Sequence, residues 1–138
     1  MKVFLDTNVL ASAAATRGLC ADVVREVFAR HESIVSKQVL DELRRVLQSK
    51  FRFPRVLAAD YVELVRQDST LAEPARLPKI KLRDKEDLRI LAAAVAAEAD
   101  VLVTGDAELL ALGHCDKVEI LSPRQFWERL IAHRPLRN

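Results

Sequence analysis

Two junctions in this chain share one pattern, Lys2-Val-Phe-Leu-Asp6 and Val101-Leu-Val-Thr-Gly-Asp106. In each, a short apolar run of β-forming residues ends at an aspartate, and a helical segment begins at once. Thr7-Asn-Val-Leu-Ala-Ser-Ala-Ala-Ala15 follows the first, and Ala107-Glu-Leu-Leu-Ala-Leu112 follows the second. A continuous apolar run closed by a turn signal is the mark of a strand buried on both faces. Such strands need helices to cover them, which restricts the chain to an alternating α/β fold.

The segments between the junctions keep the alternation. Arg17-Gly18 breaks the first helix, and Ala21 to His31 carries Val23, Val24, Val27 and Phe28 at helical spacing. Ser33 to Ser36 reads as a short strand, and Ser36 caps a helix from Lys37 to Lys50 with Val39, Leu40, Leu43, Val46 and Leu47 as its buried stripe. Pro54 suits the first turn of a helix running to about Gln67. Leu71 to Leu82, with Pro74 and Pro78, reads as irregular. Asp84 caps an Ala-rich helix reaching Ala99, Val118 to Leu121 is a strand, and Pro123 opens a last helix with Phe126, Trp127, Leu130 and Ile131. The economical arrangement is a parallel sheet with helices on both faces.

At 138 residues this is one domain, placed at residues 1–134, with a basic tail at 135–138. Three Gly and five Pro leave little room for an all-β fold with many tight turns. Cys20 and Cys115 lack the paired spacing of a disulfide or zinc framework, so a reduced, cytoplasmic chain is expected. Asp6 and Asn8 interrupt the only candidate signal-peptide run, and no stretch is expected to span a membrane. The net charge of +2 does not mark a nucleic-acid binder, so the placement of charges matters more than their sum.

Ligand sites of open parallel sheets form outside the carboxyl ends of the strands. Asp6 and Asp106 sit at such ends, and if their strands are neighbours the two carboxylates face each other. Either one alone also reads as a simple helix cap. Glu42 lies at the margin of the stripe made by Val39, Leu43 and Val46, while Asp41 points to solvent. A carboxylate there is costly to bury, unless it is partly exposed and paired to Arg44 or Arg45; both readings stand. Asp87 shares one helical face with Leu91 and Val95, with Asp84 on the same side and Glu86 facing away. Asp84 with Asp87 also resembles a weak capping box.

Asp6, Glu42, Asp87 and Asp106, with Asp84 as a fifth candidate, can therefore meet at one rim. Like charges so close need a cation, and hard carboxylate oxygens without His or Cys suit magnesium or manganese. Such ions activate water and steady the leaving oxygen in phosphodiester cleavage. Asn8 and Thr104, two residues from Asp6 and Asp106, are placed to orient the acids or a metal-bound water.

These residues carry a family resemblance. Leu5-Asp-Thr-Asn-Val-Leu10, Glu42 in a helix after a short strand, Arg83-Asp-Lys-Glu-Asp-Leu-Arg-Ile-Leu91 and Leu102-Val-Thr-Gly-Asp106 resemble the PIN domain, more narrowly the VapC-type toxin nucleases of bacterial toxin–antitoxin pairs. The resemblance implies a three-layer α/β/α sandwich with a mostly parallel sheet of four to five strands. It also implies an Mg2+- or Mn2+-dependent endoribonuclease and a cognate antitoxin that blocks the site. The acidic quartet falls on Asp6, Glu42, Asp87 and Asp106. Many relatives place Pro after the Arg-Asp pair where this chain has Lys85, which leaves Asp84 and Asp87 competing as the closer ligand; Asp87 is the assignment made here.

For an RNA backbone, Lys79, Lys81, Arg83, Lys85 and Arg89 form one cationic set and Arg44, Arg45, Lys50, Arg52 and Arg55 another. Each alone reads as ordinary solvated surface. Leftover apolar helix surface would serve a homodimer or an antitoxin helix, an expectation resting mainly on the family. His114-Cys115-Asp116 reads as a loop, and His31 and His133 as helix-end residues. The competing readings are a catalytically inactive PIN-like RNA-binding or regulatory module and an aspartyl-phosphate phosphatase. The phosphatase wants a second carboxylate two residues after Asp6, where this chain has Asn8. A phosphorylated receiver module wants a mid-chain strand-end Asp and a late Lys that the sequence lacks.

Overall fold

The computed structural model describes residues 1–73 and 75–132. In chain order the elements are β1 Lys2–Leu5, α1 Thr7–Ala15, α2 Leu19–Arg30, β2 Glu32–Ser36, α3 Lys37–Ser49, α4 Arg55–Gln67, β3 Ser69–Ala72, α5 Lys85–Ala96, β4 Val101–Val103, α6 Ala107–Leu112, β5 His114–Cys115, β6 Val118–Leu121 and α7 Pro123–Ala132. The strands form one sheet in the order β3-β2-β1-β4-β6-β5, parallel throughout except for β5 at the edge.

The order reverses direction between β1 and β4. Steps from β1 to β2 to β3 move one way, and steps from β3 to β4 to β6 move the other. Right-handed crossovers then put α1 to α4 on one face and α5 and α6 on the other. Packing agrees, since α1 contacts α2 and α3, α3 contacts α4, and α7 returns onto α2. This is the α/β/α sandwich.

Register aligns apolar residues across the middle of the sheet: Ile34, Phe4, Leu102 and Ile120 lie side by side on β2, β1, β4 and β6. All four are buried, with Phe4 and Leu102 at 0% exposure. Burial on both faces explains why these strands read as continuous apolar runs.

Several boundaries differ from the sequence reading. The sheet has six strands rather than four to five, because β3 runs from Ser69 into the start of the stretch read as irregular, at Leu71 and Ala72, and His114-Cys115 pairs antiparallel to β6 instead of forming a loop. Helix α2 starts at Leu19 rather than Ala21, and Pro54 precedes α4 as its cap. Helix α5 stops at Ala96, not Ala99, where Glu98 turns to φ 56°. Gly113, at φ +75°, ends α6 in a conformation that suits glycine. Pro74, His133 and the 135–138 tail lie outside the described residues. Cys20 and Cys115 are free thiols. Among the described residues no helix is long and apolar enough to cross a membrane.

Candidate active site

The two strand–aspartate junctions are side by side, because β1 pairs directly with β4. The Asp6 amide donates to the Val103 carbonyl at 3.1 Å, continuing the ladder past both strands. They sit where the strand order reverses, the position at which an open parallel sheet leaves a crevice.

Each of these aspartates caps a helix and also lines one cleft. Asp6 Oδ1 accepts the Thr7 amide at 2.7 Å at the start of α1, and Asp106 Oδ1 accepts the Leu109 amide at 2.9 Å at the start of α6. Capping fixes each carboxylate at a helix start; it does not remove it from the crevice. The Thr104 hydroxyl donates to Asp6 Oδ2 at 2.6 Å and accepts the Asp106 amide at 3.0 Å. One fully buried threonine thus joins the two acidic turns.

The helical layers bring the remaining acids from opposite sides of the sheet. Glu42 comes from α3, with the Thr7 hydroxyl donating to Glu42 Oε2 at 3.5 Å. Asp84 and Asp87 come from the start of α5, where Asp84 caps the helix through the Glu86 amide at 2.8 Å. A cleft of about 210 Å3 is lined by Asp6, Asn8, Glu42, Asp84, Asp87 and Asp106, together with Thr7, Ile90, Arg45 and Glu86.

The last two were not foreseen as cleft residues. Arg45 lies one turn beyond Glu42, and its cation opposes the rise in the Glu42 pKa. Glu86, expected to face away, is turned in by a partner on the other layer: Gln38 Nε2 donates to its carbonyl at 3.0 Å and to its Oε2 at 2.7 Å. A single-helix wheel cannot register that cross-helix contact. Asn8 lines the cleft from an exposed position. Of the cationic residues, Lys79, Lys81, Arg83 and Lys85 are exposed, and Arg89 pairs with Glu86 at 2.9 Å. In the second set only Arg45 lines the cleft, while Arg44, Lys50, Arg52 and Arg55 are exposed.

Electrostatics follow from crowding acids against the buried carboxyl ends of two central strands. Burial raises the Asp6 pKa, the Thr104 and Thr7 hydrogen bonds lower it, and Asp106 adds to the rise. Burial and then Asp6 raise that of Glu42. Asp87 is pushed to about 7 by burial, then by Asp106, Asp84 and Asp6. Each rise reflects a carboxylate whose charge is disfavoured.

A stability prediction follows. The native state holds the Asp87 proton up to about pH 7, whereas an unfolded Asp releases it near 3.8. Between those values the folded chain binds more protons, so stability falls as pH rises. Asp6 and Glu42 are shifted in the same direction. In EDTA, the wild type should therefore lose stability as pH rises through this window, and Asp87→Asn should flatten the slope. Denaturant midpoints across the window check this, and an unchanged slope in the variant would remove Asp87 from the repelling cluster.

Among the described residues, no three His, Cys, Asp or Glu side chains are grouped tightly enough to hold a metal ion as they stand. The chemistry of the donors nevertheless fits a hard divalent cation. The carboxylates facing the cleft come without His or Cys, and their shared charge is what a cation relieves.

A family model described as the PIN domain matches residues 2–108, which includes all these acids. The chain belongs to the PIN domain family. Solved structures share the PIN fold at low identity. VapBC2 from Rickettsia felis, solved bound to a DNA fragment from its promoter, has 15% identity and a TM-score of 0.61, covering 88% of this chain and 98% of that one. PAE2754 from Pyrobaculum aerophilum has 21% identity and a TM-score of 0.65, covering 96% and 91%. VapC20 of Mycobacterium tuberculosis, a Sarcin-Ricin loop cleaving toxin, has 15% identity and a TM-score of 0.59, covering 85% and 98%. No curated protein matches the chain in sequence.

Proposed function

We propose that this PIN domain is a divalent-metal-dependent endoribonuclease and the toxin of a two-gene toxin–antitoxin pair. The observation that carries the reading is the convergence of Asp6, Glu42, Asp87 and Asp106 on one cleft from the ends of two central strands and both helical layers. Asp6, Asp87 and Asp106 are the proposed ligands of Mg2+ or Mn2+, with Asp84 the alternative to Asp87. A bound ion would supply an activated water and neutralise charge on the cleaved phosphodiester. The chain's own groups do the rest. Thr104 holds Asp6 at its cap position, Glu42 completes the acidic shell and helps polarise the attacking water, and Asn8 offers an amide at the rim. The exposed Lys79, Lys81, Arg83 and Lys85, with Arg89, are proposed to track the RNA backbone.

The partner reading draws on the VapBC neighbours and on apolar side chains left at the surface. Val56, Leu57 and Leu64 of α4 and Ile131 of α7 are all more than half exposed. These side chains are proposed to serve a homodimer contact and the cognate antitoxin. Free thiols suit a reducing cytoplasm. The proposed boundary remains one catalytic domain over residues 1–134, followed by a basic tail.

Cleavage of end-labelled RNA with Mn2+, and its loss in EDTA, is the expected result. RNA retention without cleavage under saturating Mn2+ or Mg2+ would instead assign the chain to the inactive binding class.

A further inference from the structure

A second cavity, of about 360 Å3, lies between the start of α3, the end of β3 and α5, and the chemistry above makes no use of it. Its size falls in the range of small-molecule sites, roughly 300–1,000 Å3. Ala72, Leu77 and Ala93 supply apolar wall, and the charged residues that line it are the cations Lys37 and Arg89 and the carboxylate Glu73. Gln38 stands between the two spaces. It lines this cavity and donates to Glu86, which lines the acidic cleft. Glu86 Oε1 in turn accepts from Arg89 at 2.9 Å. Gln38, Glu86 and Arg89 thus form a shared partition between cavity and cleft.

Along α5 the two spaces are served by neighbouring turns. Asp87 lines the cleft, Arg89 and Ala93 the cavity. An ion pair to Glu86 holds the guanidinium through Nη1, and the Arg89 side chain is 56% exposed, which leaves it accessible to a ligand. Proteins that read single-stranded RNA splay bases out and stack them on aromatic rings or on Arg guanidinium planes. Among the described residues none that lines the cavity is aromatic, and Arg89 offers a plane. Apolar wall, a stacking cation and a second cation suit a flat base carried on a phosphodiester. Lys37 is held only by a surface pair to Asp41 at 3.6 Å, so it can turn to a phosphate beside the cavity.

Resting on the nuclease reading, we infer that this cavity is a nucleobase subsite. A base unstacked from single-stranded RNA enters it while the adjoining backbone crosses the acidic cleft. Base preference next to the cut is then set by Gln38, Arg89 and Ala93.

The test uses the full chain with 13C-labelled alanine methyls, in EDTA so that nothing is cleaved. It is titrated with each of the four ribonucleoside 5′-monophosphates and with ribose 5-phosphate. The Ala72 and Ala93 methyls should shift saturably with at least one base-bearing nucleotide and stay in place with ribose 5-phosphate. Ala93→Leu, which fills the cavity, should weaken binding read at Ala72 by at least about tenfold. Arg89→Ala keeps the cavity open and should weaken it too, so a folding failure of the first variant does not end the test. Shifts produced equally by ribose 5-phosphate, or by none of the nucleotides, would overturn the subsite. Because the readout needs no catalysis, loss of these shifts in a chain that cleaves RNA defeats the subsite alone. Absent cleavage with the shifts intact defeats the nuclease reading instead.

Discussion

Asp6→Asn is expected to lower Mn2+-dependent RNA cleavage by on the order of 10²–10⁴-fold, the range for losing a positioned catalytic group, while the chain stays folded. The reason lies in what Asp6 does structurally. Its Oδ1 caps α1 through the Thr7 amide, and an asparagine carbonyl can keep that bond. Its Oδ2 accepts the Thr104 hydroxyl, which can rotate to accept from an amide instead. The substitution thus removes a buried charge and leaves the turn intact. Circular dichroism and denaturant midpoints should match or exceed those of the wild type. Full cleavage by a folded Asp6→Asn protein would refute the assignment of the site.

The largest stability effect is expected at Phe4→Ala. Phe4 is fully buried on the central strand β1, between Ile34 of β2 and Leu102 of β4, two residues before Asp6. Removing a buried Phe side chain costs about 3–5 kcal/mol, a large share of the roughly 5–15 kcal/mol that holds a domain. Urea unfolding measures it. A loss under about 1 kcal/mol would mean that the sheet centre is not the core described above.

The strands that frame the site were legible because they are buried on both faces, and Val3 to Leu5 and Val101 to Val103 leave no other reading. The edge strands were not. In β3 only Ala72 is buried and Leu71 is about half exposed, so no apolar run marks it. Its identity lies in backbone pairing to β2, which side-chain pattern does not encode. β5 spans only two residues, too short for any periodicity.

The acidic set was legible for a related reason. Asp6 and Asp106 end strands, and Glu42 and Asp87 sit at margins of apolar stripes, where a charge stands out. Arg45 and Glu86 were missed because their approach to the cleft depends on where α3 lies against α5. The Gln38–Glu86 bond spans 48 residues and crosses between helices, beyond the reach of any single-helix wheel. The double role of the strand-end aspartates was likewise hidden, since capping and convergence looked like rival explanations.

Binding of Mn2+ tests the convergence most directly, because a paramagnetic ion reports by distance and needs no turnover. In 15N-labelled protein, substoichiometric Mn2+ should broaden the amides of Thr7, Leu43, Leu88 and Ala107 together, and Asp6→Asn should weaken that broadening at all four. Broadening at one acid alone, or first around Glu98 and Asp100 at the opposite end of the sheet, would contradict a shared cation site.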